Sequence, residues 1–258
     1  VGSDGSWVEQ RAKVKERNAS KWNLVHEEYI MSFPSSSSPP SSSLVKALVD
    51  SQLWATHLSN TEGRDKALRV VQYACKIARA SPTSRPALLA SQVESAISLA
   101  RQVFRLGKWV NIIAKQHRMT HDEGPLVDAL TALADLGIFG FFVIDNFAFL
   151  IRTGIIKGNL KNMMRRAARF WVLSASASFI MAVIRWWRLQ KSINDEEDRA
   201  KVKKKQTAMV LSAIRYLSDD IVAYSLALQE PLSPVLVGSV GVLSSLIQTY
   251  VMWPRASR

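Results

Sequence analysis

LSPVLVGSVGVLSSLIQTYVMW, residues Leu232–Trp253, holds twenty-two residues without one charged side chain. At 1.5 Å per residue such a helix reaches about 33 Å, enough to cross a hydrocarbon layer of ~30 Å. The stretch therefore predicts a transmembrane helix. Gly241 and Ser245, four residues apart within it, would let a neighbouring helix approach closely. FWVLSASASFIMAVI, Phe170–Ile184, is a shorter uncharged run flanked by Arg165, Arg166 and Arg169 on one side and by Arg185, Arg188 and Lys191 on the other. Extended to Trp187 it measures about 27 Å. Snorkelling arginines and the Trp186-Trp187 pair could close the gap, so it reads as a second span or as an apolar core helix. Ser174 and Ser178 repeat the small-residue spacing.

Upstream of these, Val127 to Ile156 is apolar but carries Asp128, Asp135, Asp145 and Asn146. Each carboxylate costs ~2.5–3.5 kcal/mol at the centre of a span, so this segment is expected to pack against other helices or to lie at the interface. Thr207 to Glu230 reads as an amphipathic helix that Arg215, Asp219 and Asp220 make too polar to cross. The run NDEEDRAKVKKKQ before it reads as a solvated turn or helix extension.

The first half of the chain is amphipathic. In RDKALRVVQYACKIAR, Arg64–Arg79, a projection at 100° per residue gathers Asp65, Arg69, Gln72, Lys76 and Arg79 within roughly 80° and leaves aliphatic residues over the remainder. That pattern fits a bundle helix with one solvated ridge, or a helix that also meets a membrane. Ser59 and Glu62 have the spacing of a capping box at its start. A long helix from Ser84 to Arg118 follows, with Pro86 in its first turn, where proline is tolerated. Leu99, Val103, Phe104, Leu106 and Val110 lie on its apolar half, and Arg101, Arg105, Lys108 and Lys115 on the polar half beside Trp109. This is the pattern of an ordinary bundle helix or of a helix lying on a membrane surface, with Trp109 as an anchor at headgroup level. Residues 1–43 contain SFPSSSSPPSSS and read as a flexible tail, 44–160 as an amphipathic helical region and 161–258 as the anchoring region.

The 258-residue chain has a net charge of +13 that arises from two blocks of +8 each, residues 61–118 and 161–206, offset by −3 between them. Localised positive charge points to phosphate, of anionic lipid or of nucleic acid. One cysteine, Cys75, excludes an internal disulfide, and Val1–Lys21 shows no apolar leader. His117 and His121 are spaced for zinc, but Arg118 stands where a metalloprotease needs glutamate. No phosphate-cradling glycine loop or activated nucleophile is visible, so neither an enzyme nor a cofactor is expected.

Several of these stretches together resemble the peroxisomal membrane protein 11 family. Arg64, Asp65, Gln72, Tyr73 and Arg79 are similar to its first motif. AISLARQVFRLGKWV, Ala96–Val110, is similar to its Ala-Arg-x-x-x-Arg helix. DNFAFLIRTG supplies Asp145, Leu150, Arg152 and Gly154 of a third pattern, with Phe149 where tryptophan is expected. Leu232–Trp253 resembles the family's glycine-serine span. The resemblance covers about residues 44–253. It implies an all-α peroxisomal membrane protein with an N-terminal bundle of amphipathic helices and one or two C-terminal transmembrane helices.

It further implies elongation of the organelle by helices entering the cytosolic leaflet, homo-oligomers, and cooperation with the fission machinery. On this reading Arg69, Lys76, Arg79, Arg101, Arg105, Lys108 and Lys115 face anionic phospholipid, and Arg165, Arg166 and Arg169 are read by the peroxisomal membrane import receptor. Two other readings stand beside it. One is a membrane channel or solute carrier with Asp135, Asp145 and Asn146 along a polar path. The other is a soluble nucleic-acid binder, which the uncharged C-terminal stretch argues against.

Overall fold

Helix boundaries follow local chemistry that the sequence carries in part. The computed structural model describes residues 51–80, 84–116, 123–191, 199–228 and 232–253. The tail, Leu44 and the His117/His121 pair lie outside the described residues. Eight helices run through the described residues: α1 (Ser51–Ser59), α2 (Thr61–Ala78), α3 (Ser84–Phe104), α4 (Lys108–Gln116), α5 (Pro125–Arg152), α6 (Leu160–Lys191), α7 (Arg199–Ala227) and α8 (Pro234–Val251). The cap of α2 is Asn60, whose Oδ1 accepts from the Glu62 N–H at 3.0 Å. Ser59 instead ends α1 and donates to the Thr56 carbonyl, so Asn60 caps α2 alone and the expected capping box does not form. Pro125 opens α5 after Gly124.

The helix expected over Ser84–Arg118 is two helices. At Gly107 the backbone enters the left-handed region, φ 72°, which glycine adopts without a Cβ clash. Just before it the Arg105 and Leu106 N–H groups bond to carbonyls three residues back. This tightens the end of α3 and re-aims α4.

The helices pack mostly as antiparallel neighbours, and small residues set the close approaches. A Cβ on Gly137 of α5 would come within 2.7 Å of the Ser174 backbone nitrogen, and one on Gly140 within 2.4 Å of the Phe170 ring. Ser174 lies against Gly137 of α5, while Ser178 is half-buried. In α8, a Cβ on Gly241 would meet the Tyr73 ring at 2.4 Å and one on Gly238 would meet Ile77 at the same distance. The small face of α8 thus admits α2 rather than another span, and Ser245 donates to the Gly241 carbonyl of its own helix. At the far end Trp54 meets Trp253 edge-on at 4.7 Å and His57 stacks on it at 5.2 Å, tying α1 to the end of α8.

Buried apolar clusters are small: Val127, Ala134, Ala177 and Met181 between α5 and α6, and Tyr73, Val222 and Val237 among α2, α7 and α8. Many large apolar side chains point outward instead. Among the described residues three helices are long and apolar enough to cross a membrane: α5, α6 and α8. The 127–156 segment, expected to pack against other helices or to lie at the interface, does pack against α6, and by length and composition it is also a third candidate span. Its Asp135 and Asp145 both have cationic partners, Lys115 and Arg105.

Candidate membrane interface

The polar stripe of α2 points into the protein. Asp65, Arg69 and Tyr73 are all buried, with Arg69 only 3% exposed. Its Nη2 donates to Asp219 Oδ1 of α7, and its guanidinium lies over the Tyr73 and Trp171 rings at 5.4 and 5.5 Å. Asp219 also accepts from Ser244 Oγ at 2.6 Å and from Gln248 Nε2 at 3.2 Å, both on α8. One turn away, Arg101 of α3 donates through Nε to Asp65 Oδ1 at 2.9 Å and through Nη1 to Gln72 Oε1 at 2.6 Å. Burial alone would raise the Asp65 carboxyl, but Arg101 and Lys66 outweigh it and hold the group well below the usual carboxylate range. Burial pushes the Lys66 ammonium down, with Arg69 adding to it and Asp65 and Glu62 opposing.

The same inversion continues along α3 and α4. Lys76 and Arg79 converge on Glu94 at 2.9 and 3.2 Å, and Lys108 pairs with Glu62. Arg105 forks onto Asp145 with bonds of 2.9 and 3.2 Å, and Gln102 Nε2 donates to the same carboxylate. Arg152 donates to Gln102 Oε1, Ser98 Oγ and the Ser95 carbonyl, so Gln102 links the two arginines. Lys115 Nζ bridges both oxygens of Asp135, at 2.8 and 2.9 Å. Trp109 packs edge-on to Phe139 of α5.

These contacts correct the expected headgroup set at Arg69, Lys76, Arg101, Arg105 and Lys108, whose side chains are at most 17% exposed, whereas Arg79 and Lys115 stay 39% and 43% exposed. Arg69, Lys76, Arg79, Arg101, Arg105, Lys108 and Lys115 are each in an ion pair within the chain. The fold brings carboxylates distant in sequence within reach. An ammonium or guanidinium beside a carboxylate of low exposure is held there, because leaving that carboxylate buried and unpaired is costly.

The apolar half of α3–α4 faces outward. Leu99, Val103, Leu106 and Val110 are exposed, as the inserting set requires, and Leu88, Leu89, Val93 and Ile113 join them. Phe104 is the exception: it is half-buried, with the Arg64 guanidinium 5.7 Å over its ring. Of the expected targeting residues, Arg166 and Arg169 are exposed and Arg165 is half-buried. The resemblance motifs converge structurally: Asp65 and Gln72 hold Arg101, Asp145 holds Arg105, Arg152 holds Gln102, and Gly154 leaves α5 at φ 79°.

Sequence reasoning missed Asp219, Glu62, Glu94 and Gln102 as partners. Glu94, Arg101 and Arg105 were visible as one stripe, yet the stripe does not say what it faces. Asp135 and Asp145 are occupied by Lys115 and Arg105 rather than lining a polar path. The groove beside Asn146 is walled by Trp109, Phe139, Val143, Phe147 and Leu150. Among the described residues no three His, Cys, Asp or Glu side chains group as a metal site.

Comparison with known proteins gives a consistent set. The profile of the family described as Peroxisomal biogenesis factor 11 (PEX11) matches residues 52–253. Peroxisomal membrane protein 11C of Arabidopsis thaliana is 30% identical over 221 residues, covering 78% of this chain and 92% of that protein. Peroxisomal membrane protein 11-1 of Oryza sativa subsp. japonica is 29% identical, covering 78% and 91%. Peroxisomal membrane protein 11A of Bos taurus is 26% identical over 67% of each. No solved structure matches.

Proposed function

The chain belongs to the PEX11 family and is a peroxisomal membrane protein of peroxisome biogenesis, and we propose that it elongates the membrane by seating the outward face of α3–α4 among the lipid chains of one leaflet. The observation that carries the reading is the inverted helix: Glu94, Arg101 and Gln102 are buried while Leu88, Leu89, Val93, Leu99, Val103 and Leu106 are exposed. A water-facing helix has the opposite arrangement. Eight partly exposed aliphatic side chains on α3–α4 correspond to roughly 5–10 kcal/mol of transfer into hydrocarbon. Volume added to one leaflet expands it relative to the other and favours a tubule. Attraction to phosphate is secondary, because the cations of the polar half already have carboxylate partners. Self-association of copies would concentrate these insertions along a tubule, and the fission machinery would act on the elongated product.

The test is reconstitution of the full chain into liposomes, with tubules counted by negative-stain electron microscopy. Val103→Asp with Leu106→Asp changes two exposed positions, so the variant is expected to keep the helicity and thermal midpoint of the parent in detergent. It should lose tubulation. Raising salt to about 0.5 M, where the screening length is a few ångströms, should change parent tubulation little. Equal tubulation by the aspartate variant would overturn the reading.

A further inference from the structure

We infer that α7 is a fourth membrane crossing, although its composition hides it. The chain's connectivity makes the first part of the case. α5 and α6 are antiparallel, with Glu123 against Arg185 at one end and Gly140 against Phe170 toward the other. α6 and α7 are antiparallel as well: Ser176 Oγ donates to Asp220 at 3.0 Å, while Trp186 and Phe179 lie against Met209 and Val210 through Leu217. α8 then runs antiparallel to α7, from the Ser225–Leu232 bond to the Asp219 contacts with Ser244 and Gln248. If α6 and α8 both cross, the chain must return between them, and α7 lies packed along both.

The surface of α7 makes the second part. Val210, Ile214, Leu217 and Tyr224 are 39–53% exposed and recur at intervals of four, three and seven residues, one stripe of a helix. Asp219, on the opposite side of the helix, points inward. Asp219 is buried on Arg69, Ser244 and Gln248, Asp220 takes the Ser176 hydroxyl, and the Arg215 guanidinium covers the Tyr216 ring at 4.0 Å. The basic run Lys203–Lys205 ends before Ala208. Ala208 to Ala227 is twenty residues, about 30 Å, the thickness of the hydrocarbon layer. A helix with an apolar outer stripe, Asp219 paired on its inner side and a basic collar at one end fits lipid as its outer partner. The end of α6 and the start of α7 then lie on the membrane face that carries Glu123 and Trp253, and the end of α7 and the start of α8 on the opposite face.

The crossing is tested at the two ends of α7. In a Cys75→Ser background, single cysteines are placed by Lys203→Cys and Ser233→Cys, both at exposed positions. Intact peroxisomes are treated with a membrane-impermeant maleimide mass tag, with and without detergent, after carbonate extraction has verified that each variant is integral. One position should label on intact organelles and the other only after detergent. Labelling of both from outside, or protection of both, would place the two ends on one side and overturn the crossing. If either variant fails to reach the membrane, Lys205→Cys and Leu228→Cys bracket the same helix and are read the same way.

Discussion

Arg69→Met isolates the contact that joins the first half of the chain to the last. Arg69 is 3% exposed and is the cation hydrogen-bonded to Asp219, so its removal leaves a buried carboxylate without its direct ion-pair partner. Breaking such a pair from one side costs ~3–5 kcal/mol. Ser244 and Gln248 still donate to Asp219, which puts the expectation at the low end, about 3 kcal/mol. For a chain of this size each kcal/mol moves the thermal midpoint by ~2–4 °C, so a fall of roughly 6–12 °C follows. Trp171, whose ring lies 5.5 Å from the Arg69 guanidinium, is a fluorescence reporter of the site itself. Unfolding of the purified protein in detergent supplies the measurement.

The matched double variant, Arg69→Met with Asp219→Asn, removes both charges and keeps one acceptor, for Ser244. It should stand within ~1–2 kcal/mol of the parent, a coupling of at least ~1 kcal/mol between the two positions. A single variant that costs under ~1 kcal/mol, or a double variant whose cost equals the sum of the singles, would refute a buried pair. Arg69 would then be solvated, as a ridge of headgroup-facing cations would be.

Gly241→Val pushes a side chain into the Tyr73 ring, already 2.4 Å from where a Cβ would stand, and should lower stability by ~1–3 kcal/mol or release α2, seen as faster proteolysis between α2 and α3. The Asp65 carboxyl is held below its ordinary value in the fold, so its contribution is present above about pH 4, the unfolded value, and declines as pH falls below that. Asp65→Asn should flatten that part of the stability profile in thermal melts at stepped pH. Arg166→Ala with Arg169→Ala alters two exposed cations beside α6 and should send a fluorescent fusion to other membranes, whereas unchanged peroxisomal signal would discard them as the address.

What the sequence determined by itself was the helical class, the membrane and the family. Each rests on properties local to a segment: the twenty-two uncharged residues from Leu232, the 3.6-residue periodicity of Arg64–Arg79, and motifs contiguous in the chain. Which way each amphipathic helix faces is not local. A stripe holding Glu94, Arg101 and Arg105 has the same projection whether it meets water, phosphate or a carboxylate from another helix. Its orientation was decided by Asp65 and Asp145, 36 and 40 residues away from the arginines they bind, and for Arg69 by Asp219 at a separation of 150. The break at Gly107 was equally invisible, since glycine is tolerated within helices and turns left-handed only where packing asks it to. The tertiary structure therefore reversed the faces and broke one expected helix in two, while the helical class stood. In hydrocarbon a paired charge belongs inside and an aliphatic side chain outside, and only the assembled helices reveal which charges have found their pairs.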